Sequence, residues 1–193
     1  MPLIDIPRIG LGTMEVKDPS KTLASIVKAI ELGYRHIDTA QLYFNEEVVG
    51  AGIKQSGVSR DEILLATKVS PSCLQPDYVK RTTRESIDRL GVEYVDLLYI
   101  HWPAETYEPK PTLDAFNEVM EEGLTKHIAV SNFTPSLLDE AFAISKAPLI
   151  ANQVEMHPLL RQSEMLEYVK KQDIYLVAYS PLAQGQVFEI PEV

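Results

Sequence analysis

The feature that most constrains the fold is an alternation. From residue 18 onward, segments with helical periodicity alternate with short runs rich in β-branched and apolar residues, at a spacing of roughly thirty residues. Units of the βαβ type produce this pattern, because parallel strands need a crossover between them. Leu23, Ile26, Val27 and Ile30 fall at i, i+3, i+4 and i+7, and Gly33 stands where a helix-terminating glycine is expected. That helix delivers the chain into the strand YRHIDTA. EEVVGAGIKQ then reads as helix, EILLATKV as strand, and the segment from about Asp77 to Leu90 as a helix closed by Gly91. VDLLYIH is continuously apolar, the signature of a strand buried on both faces. A helix from Thr112 to about Glu122 follows, with Leu113, Phe116, Val119 and Met120 on one face and Gly123 at its end. After the strand HIAVSN, Thr134 before Pro135 is an N-cap with proline in the first helical position. The helix it opens buries Leu137, Leu138, Ala141 and Phe142. LIANQVE, SEMLEYVKK and IYLVAYS complete the run as strand, helix and strand. No linker interrupts it, so residues 1–193 read as a single domain whose period is structural and not a repeat of sequence.

Six parallel strands allow an open doubly wound sheet or part of an eight-stranded (β/α)8 TIM barrel. Polar residues decide between them. They collect at the C-terminal ends of successive strands: Asp38, Lys68, His101, Ser131 with Asn132, Gln153 with Glu155, and Tyr179 with Ser180. A barrel mouth needs one from every strand, whereas an open sheet concentrates them at one crossover. The first strand also lacks the G-x-G-x-x-G turn of a Rossmann unit; Gly10-Leu11-Gly12 lies before it. The expected fold is an α/β TIM barrel of about six βα units preceded by an N-terminal β-hairpin.

Composition narrows the partners. The chain has 18 basic and 28 acidic side chains and a formal charge of −10, which weighs against nucleic acid and anionic membranes as partners. A mean hydropathy of −0.08 and the absence of a long apolar run argue against a membrane span. The start, MPLIDIPRIG, has neither a basic n-region nor an apolar h-region, so secretion is not expected. The lone cysteine, Cys73, rules out an internal disulfide and fits a reducing, cytoplasmic setting.

Tyr43, Lys68, Asp38 and His101 together suggest a reaction. Tyrosine is a poor acid–base group at neutral pH until a neighbouring cation lowers its pKa from about 10. Lys68 is the candidate cation, with Asp38 anchoring it by an ion pair. His101 is placed to hydrogen-bond a substrate oxygen or the phenol. Such a site protonates an oxygen on which charge develops, which is what carbonyl reduction demands. Taken singly, each residue has a plainer role in packing or in holding a loop. Four complementary types on consecutive strand ends favour the chemical reading. His36-x-Asp38 and Glu155-x-His157 also have spacings that place two metal ligands on one strand face.

The blocks GLGTM, GYRHIDTAQLYFNEEVVG, ATKV, RLGVEYVDLLYIHWP, HIAVSNF, ANQVEMHPLL and AYSPLAQG, spread over nearly the whole chain, resemble the aldo-keto reductases, most nearly the microbial type. The resemblance implies hydride transfer from NADPH, less often NADH, to a small aldehyde or ketone, with Asp38, Tyr43, Lys68 and His101 as the catalytic tetrad and Tyr43 as general acid. It implies no metal, although both metal-like spacings sit inside its blocks. It places Ser131, Asn132 and Gln153 on the nicotinamide carboxamide and Tyr179 against its ring. Ser180, Leu182, Gly12 and Thr13 would contact the rest of the cofactor, and Met14, Phe44 and Trp102 would line the substrate pocket. Phe44 departs from the family's usual glycine and puts an aromatic ring at the pocket edge; Met156 replaces a common aromatic, a change of packing.

A complete barrel takes about 250 residues, so the expectation is that two βα units are lacking at the C-terminal end. In the family that region carries the basic clamp for the cofactor phosphates. The chain alone is therefore expected to bind NADPH poorly, to be weakly active at best, and to self-associate through open barrel edges. The other reading is a non-catalytic binding or structural subunit of the same fold.

Overall fold

The computed structural model describes residues 4–14 and 18–190. Among these residues, seven strands form one sheet in strictly sequential order: β1 (Leu11–Gly12), β2 (His36–Asp38), β3 (Leu64–Val69), β4 (Val95–Ile100), β5 (Thr125–Ser131), β6 (Leu149–Glu155) and β7 (Tyr175–Tyr179). Every pairing is parallel. Six α-helices intervene: α1 (Pro19–Glu31), α2 (Glu46–Gln55), α3 (Pro76–Leu90), α4 (Pro109–Glu121), α5 (Pro135–Ile144) and α6 (Ser163–Gln172). Sequential order without a reversal is the topology of a barrel wall and excludes a doubly wound sheet. The sheet curls until its ends approach, and Tyr175 Oη on β7 donates to the carbonyl of Ile4 at 2.8 Å.

Two expectations need correction. The N-terminal hairpin does not form among the described residues; Leu11 and Gly12 instead pair in parallel with Ile37 and Asp38. That short strand brings the count among the described residues to seven, where six were expected.

The helix ends follow the chain's capping chemistry. Asp18 caps α1 through bonds to the N–H groups of Ser20 and Lys21, and Thr134 caps α5 through Leu137. Gly91 adopts the left-handed conformation at the end of α3. Period-two alternation along the strands separates two cores. Ile37, Leu65, Val69, Leu98, Ile100, Ile128 and Val130 face the helices. Ile6, Leu64, Ala66, Leu97, Tyr99, Ala129 and Ala151 fill the barrel, joined by Ile150 where the β5–β6 register shifts and the alternation breaks, with Ile4, Tyr175 and Val177 packed on them.

Glycine is required at one helix contact. A Cβ on Gly50 of α2 would lie 1.9 Å from the carbonyl oxygen of Leu90 at the end of α3. Backbone cannot yield as a flexible side chain does, so Gly50→Ala is expected to destabilise the protein by about 3 kcal/mol, checked by urea unfolding.

Candidate active site

Alternation also builds the site. Two positions beyond an inward apolar residue lies the next inward one, and at five successive strand ends it is polar: Ala66 is followed by Lys68, Tyr99 by His101, Ala129 by Ser131, Ala151 by Gln153, and Val177 by Tyr179. Asp38 ends β2 in the same layer. The apolar filling of the barrel thus stops at one level, and the functional groups sit on top of it.

Lys68 is 1% exposed, and its ammonium has three donors and three partners. It pairs with Asp38 Oδ1 and donates to the carbonyl of Thr39 at 3.0 Å and to Tyr43 Oη at 3.4 Å. Because Lys68 donates to the phenol oxygen, the Tyr43 proton is left for another acceptor. Tyr43 reaches this position from a 3₁₀ turn, Gln41–Tyr43, directly after β2. Gln41 holds the turn by donating to the carbonyl of Thr82 at 3.1 Å and accepting from the N–H of Ser70 at 2.8 Å.

The tyrosine's electrostatics correct a third expectation. Burial raises the Tyr43 pKa, and this outweighs the lowering by Lys68; Asp38 adds to the rise. The phenol is therefore held in its protonated form, and Lys68 limits the cost of losing the proton. His101 is pushed down to about 4, first by burial and then by the Lys68 charge, so its imidazole is neutral. Its Nδ1 is buried without a partner, which leaves Nε2 as the hydrogen-bonding end. The ring meets Tyr43 edge-on at 5.7 Å between centroids and Trp102 at 4.6 Å.

On the opposite wall a second network runs through amides and hydroxyls. Ser131 Oγ donates to the Gln153 carbonyl at 2.8 Å. Asn132 Nδ2 donates to the His101 carbonyl and to Ser131 Oγ, both at 3.1 Å, and Tyr179 Oη donates to Asn132 Oδ1 at 3.1 Å. Asn132 and Ser180 both adopt positive φ, 61° and 47°, a conformation uncommon for non-glycine residues and concentrated at functional sites. The turn after β7 continues this strain at Ala183 and Gln184, with φ of 47° and 52°.

Of the remaining expected residues, Thr13 is buried and donates from both N–H and Oγ1 to the Asp38 carbonyl, each at 3.0 Å. Gly12, Met14 and Leu182 stand exposed at the rim, Trp102 is partly exposed, and Phe44 is 90% exposed with φ of 53°. Glu155 and His157 bond each other at 3.1 Å, and His36 is buried inside the barrel with Nε2 unpartnered. Among the described residues, no three His, Cys, Asp or Glu side chains are grouped so as to hold a metal ion. No described helix is long and apolar enough to cross a membrane. An open cleft of about 350 Å³ lies beside Asn132 and Tyr179, lined also by Thr134, Glu155, Gln162 and Glu164. It includes none of Asp38, Tyr43, Lys68 and His101.

Sequence reasoning missed two supports. Asn45 donates to the Thr13 carbonyl and accepts from Thr39 Oγ1, both at 2.8 Å, tying β1 to the turn that carries Tyr43. Glu46, at the start of α2, is 2% exposed and accepts from Thr67 at 2.6 Å and from Arg89 Nε at 2.8 Å. A first-turn glutamate ordinarily reads as a solvated complement to the helix dipole; its place in an N-E-E run directly after the tyrosine turn was the available signal.

Known proteins match the chain along most of its length. The model of the Aldo/keto reductase family matches residues 8–189. A 9,11-endoperoxide prostaglandin H2 reductase from Trypanosoma cruzi is 40% identical over 183 residues, 95% of this chain and 64% of its own. Methylglyoxal reductase DkgB from Salmonella typhi is 39% identical over 187 residues, 95% of this chain and 70% of its own. A solved Bombyx mori aldo-keto reductase in complex with NADP superposes with a TM-score of 0.86 at 31% identity, over 91% of this chain and 62% of that one. The chain thus spans about two thirds of the length of such relatives. A match from residue 8 to residue 189 leaves almost nothing of the chain outside it, and the chain belongs to the aldo/keto reductase family.

Proposed function

We propose that the chain carries the acid–base centre of an NADPH-linked reductase that converts a small aldehyde or ketone to an alcohol. The observation that supports this best is the Lys68 ammonium, whose three donors are committed to Asp38, Thr39 and the Tyr43 oxygen. That arrangement keeps a proton on a buried phenol and receives the phenolate once the proton leaves. Neutral His101 orients a carbonyl oxygen from Nε2 without competing to protonate it.

The nicotinamide end of the cofactor fits the residues present. A carboxamide needs both donors and acceptors, and Ser131, Asn132 and Gln153 offer both around the Tyr179 ring. Ser180, Leu182, Gly12 and Thr13 would border the remainder. When bound, the reduced nicotinamide supplies the hydride that attacks the carbonyl carbon. Tyr43 gives its proton to the oxygen, and Lys68 holds the resulting phenolate. Met14, Phe44 and Trp102 form an apolar rim suited to a small carbonyl compound, and the Salmonella typhi relative carries the name of a methylglyoxal reductase.

The phosphate end fits poorly. Among the described residues from Ser180 to Ile190 there is neither lysine nor arginine. Weak NADPH binding is the expected result, read by titrating the fluorescence of Trp102, the lone tryptophan, with cofactor. Quenching is expected only toward millimolar NADPH, and saturation at micromolar cofactor would overturn the expectation. The reading itself is tested by methylglyoxal-dependent NADPH oxidation at millimolar cofactor; its absence would overturn the reductase assignment.

A further inference from the structure

The acid–base group on β2 and β3 and the amide group on β5 to β7 meet at one hydrogen bond. Gln153 Nε2 donates to Asp38 Oδ2 at 2.9 Å, across 115 positions of chain. The other oxygen of Asp38 is taken by Lys68. Gln153 is 5% exposed, and its backbone carbonyl is gripped twice, by Ser131 Oγ at 2.8 Å and by the Asn132 N–H at 2.9 Å. Its side chain therefore projects from a fixed point.

We infer that Gln153 is a positioning residue for the Asp38–Lys68 pair, and that its amide links seating of the nicotinamide carboxamide to that pair. A carboxylate held by donors on both oxygens cannot rotate without losing one of them, so Gln153 keeps Oδ1 aimed at Lys68. Hydrogen bonds to a charged acceptor are roughly twice as strong as neutral ones. The amide has a second end. Its Oε1 has no hydrogen-bond partner among the described residues and is not sealed from solvent, so it can accept from a carboxamide N–H while Nε2 stays on Asp38. The first half of the inference stands on the free protein alone; the second rests on the reductase reading above.

Gln153→Glu separates the two halves. The new carboxyl would face Asp38 across a hydrogen-bond distance, and two carboxylates so placed cannot both ionise cheaply. The other ionisable groups around Asp38 and this position are Lys68 on β3, His36 two positions before Asp38 on β2, Tyr43 on its turn, Tyr99 on β4, His101 after β4, Tyr179 on β7 and Glu155 along the same strand. Burial lowers the pKa of both histidines, so Lys68 is the standing cation among them, and the comparison with the parent at each pH removes the histidines' own contribution. The folded protein would hold the glutamate proton above its ordinary value of about 4.3. A group raised in the folded state contributes stability that is complete below the unfolded value and is lost as pH rises through the folded one.

Cofactor-free Gln153→Glu is therefore expected to melt nearest the parent at pH 5 and progressively further below it up to pH 8. Adding Asp38→Asn should erase that dependence. A melting difference that stays constant over the range would overturn the positioning role. If Gln153→Glu does not fold anywhere in that range, Gln153→Met is used. Loss of the donor concentrates charge on Asp38 and should raise the ionisation midpoint of Tyr43, read as the tyrosinate absorbance that Tyr43→Phe removes; an unchanged midpoint overturns the role. For the link, Gln153→Glu should bind NADPH on the order of tenfold more weakly at pH 8 than at pH 5 by Trp102 fluorescence, against a parent that changes less. Equal pH dependence in the two proteins overturns the link. A parent that binds no NADPH overturns the link and the reductase reading together, and leaves the melting result to decide the positioning role.

Discussion

Tyr43→Phe is expected to lower the rate of carbonyl-dependent NADPH oxidation by about 10²- to 10⁴-fold, the range that a well-placed general acid supplies. The substitution removes the hydroxyl that Lys68 touches and leaves the ring to meet His101 edge-on as before. Protein at high concentration with millimolar NADPH compensates for weak cofactor binding, and equal rates in parent and variant would mean that Tyr43 is not the acid. The pH profile of the parent follows from the same groups. Reduction needs a protonated phenol and a neutral imidazole. Burial raises the phenol above its usual value near 10, so activity is expected to persist through mildly alkaline pH. His101 protonates only near 4, so no fall is expected between pH 8 and pH 5 on its account. A decline with a midpoint near 6.5 would show the histidine to be solvated and its neutral role wrong.

Lys68→Met is expected to damage both stability and chemistry. Lys68 is 1% exposed and Asp38 is 14% exposed in its side chain, so removing the cation leaves a largely buried carboxylate with Gln153 as its one side-chain donor. Breaking one side of such a pair costs about 3 kcal/mol, because the desolvated charge remains. Urea unfolding should show a loss of that size, and Lys68→Met with Asp38→Asn should recover part of it. Activity should not recover in the double variant, since the phenolate would still lack its cation. Full recovery of turnover would mean that Lys68 serves the fold alone.

The long, strongly patterned elements were legible in the sequence. The helices from Pro19, Pro76 and Pro135 and the strand Val95–Ile100 stand where periodicity, prolines and glycines put them. Asp38, Lys68, His101, Ser131, Gln153 and Tyr179 do rise to one level, because strand alternation and parallel pairing carry a sequence pattern directly into space. Leu11–Gly12 was not legible, since two residues have no period and the strand exists only by pairing with Ile37 and Asp38. The rise in the Tyr43 pKa was hidden for another reason: it is set by a competition between burial and Lys68, and burial belongs to the whole fold. The bond from Gln153 to Asp38 and the burial of Glu46 depend on contacts between distant segments, which local pattern does not encode.

The N-terminal segment below the strands has a bearing on proton traffic. Ile4 and Ile6 lie against the inner face of the wall, and Ile4 is tied by its carbonyl to Tyr175. The floor beneath Lys68 is largely apolar, and the polar atoms His36 Nε2 and Tyr99 Oη buried there have no hydrogen-bond partner among the described residues, so no bonded chain leads down through it. On the reductase reading, a proton given up by Tyr43 is replaced from the mouth or from the open flank beside β7, and never through that floor.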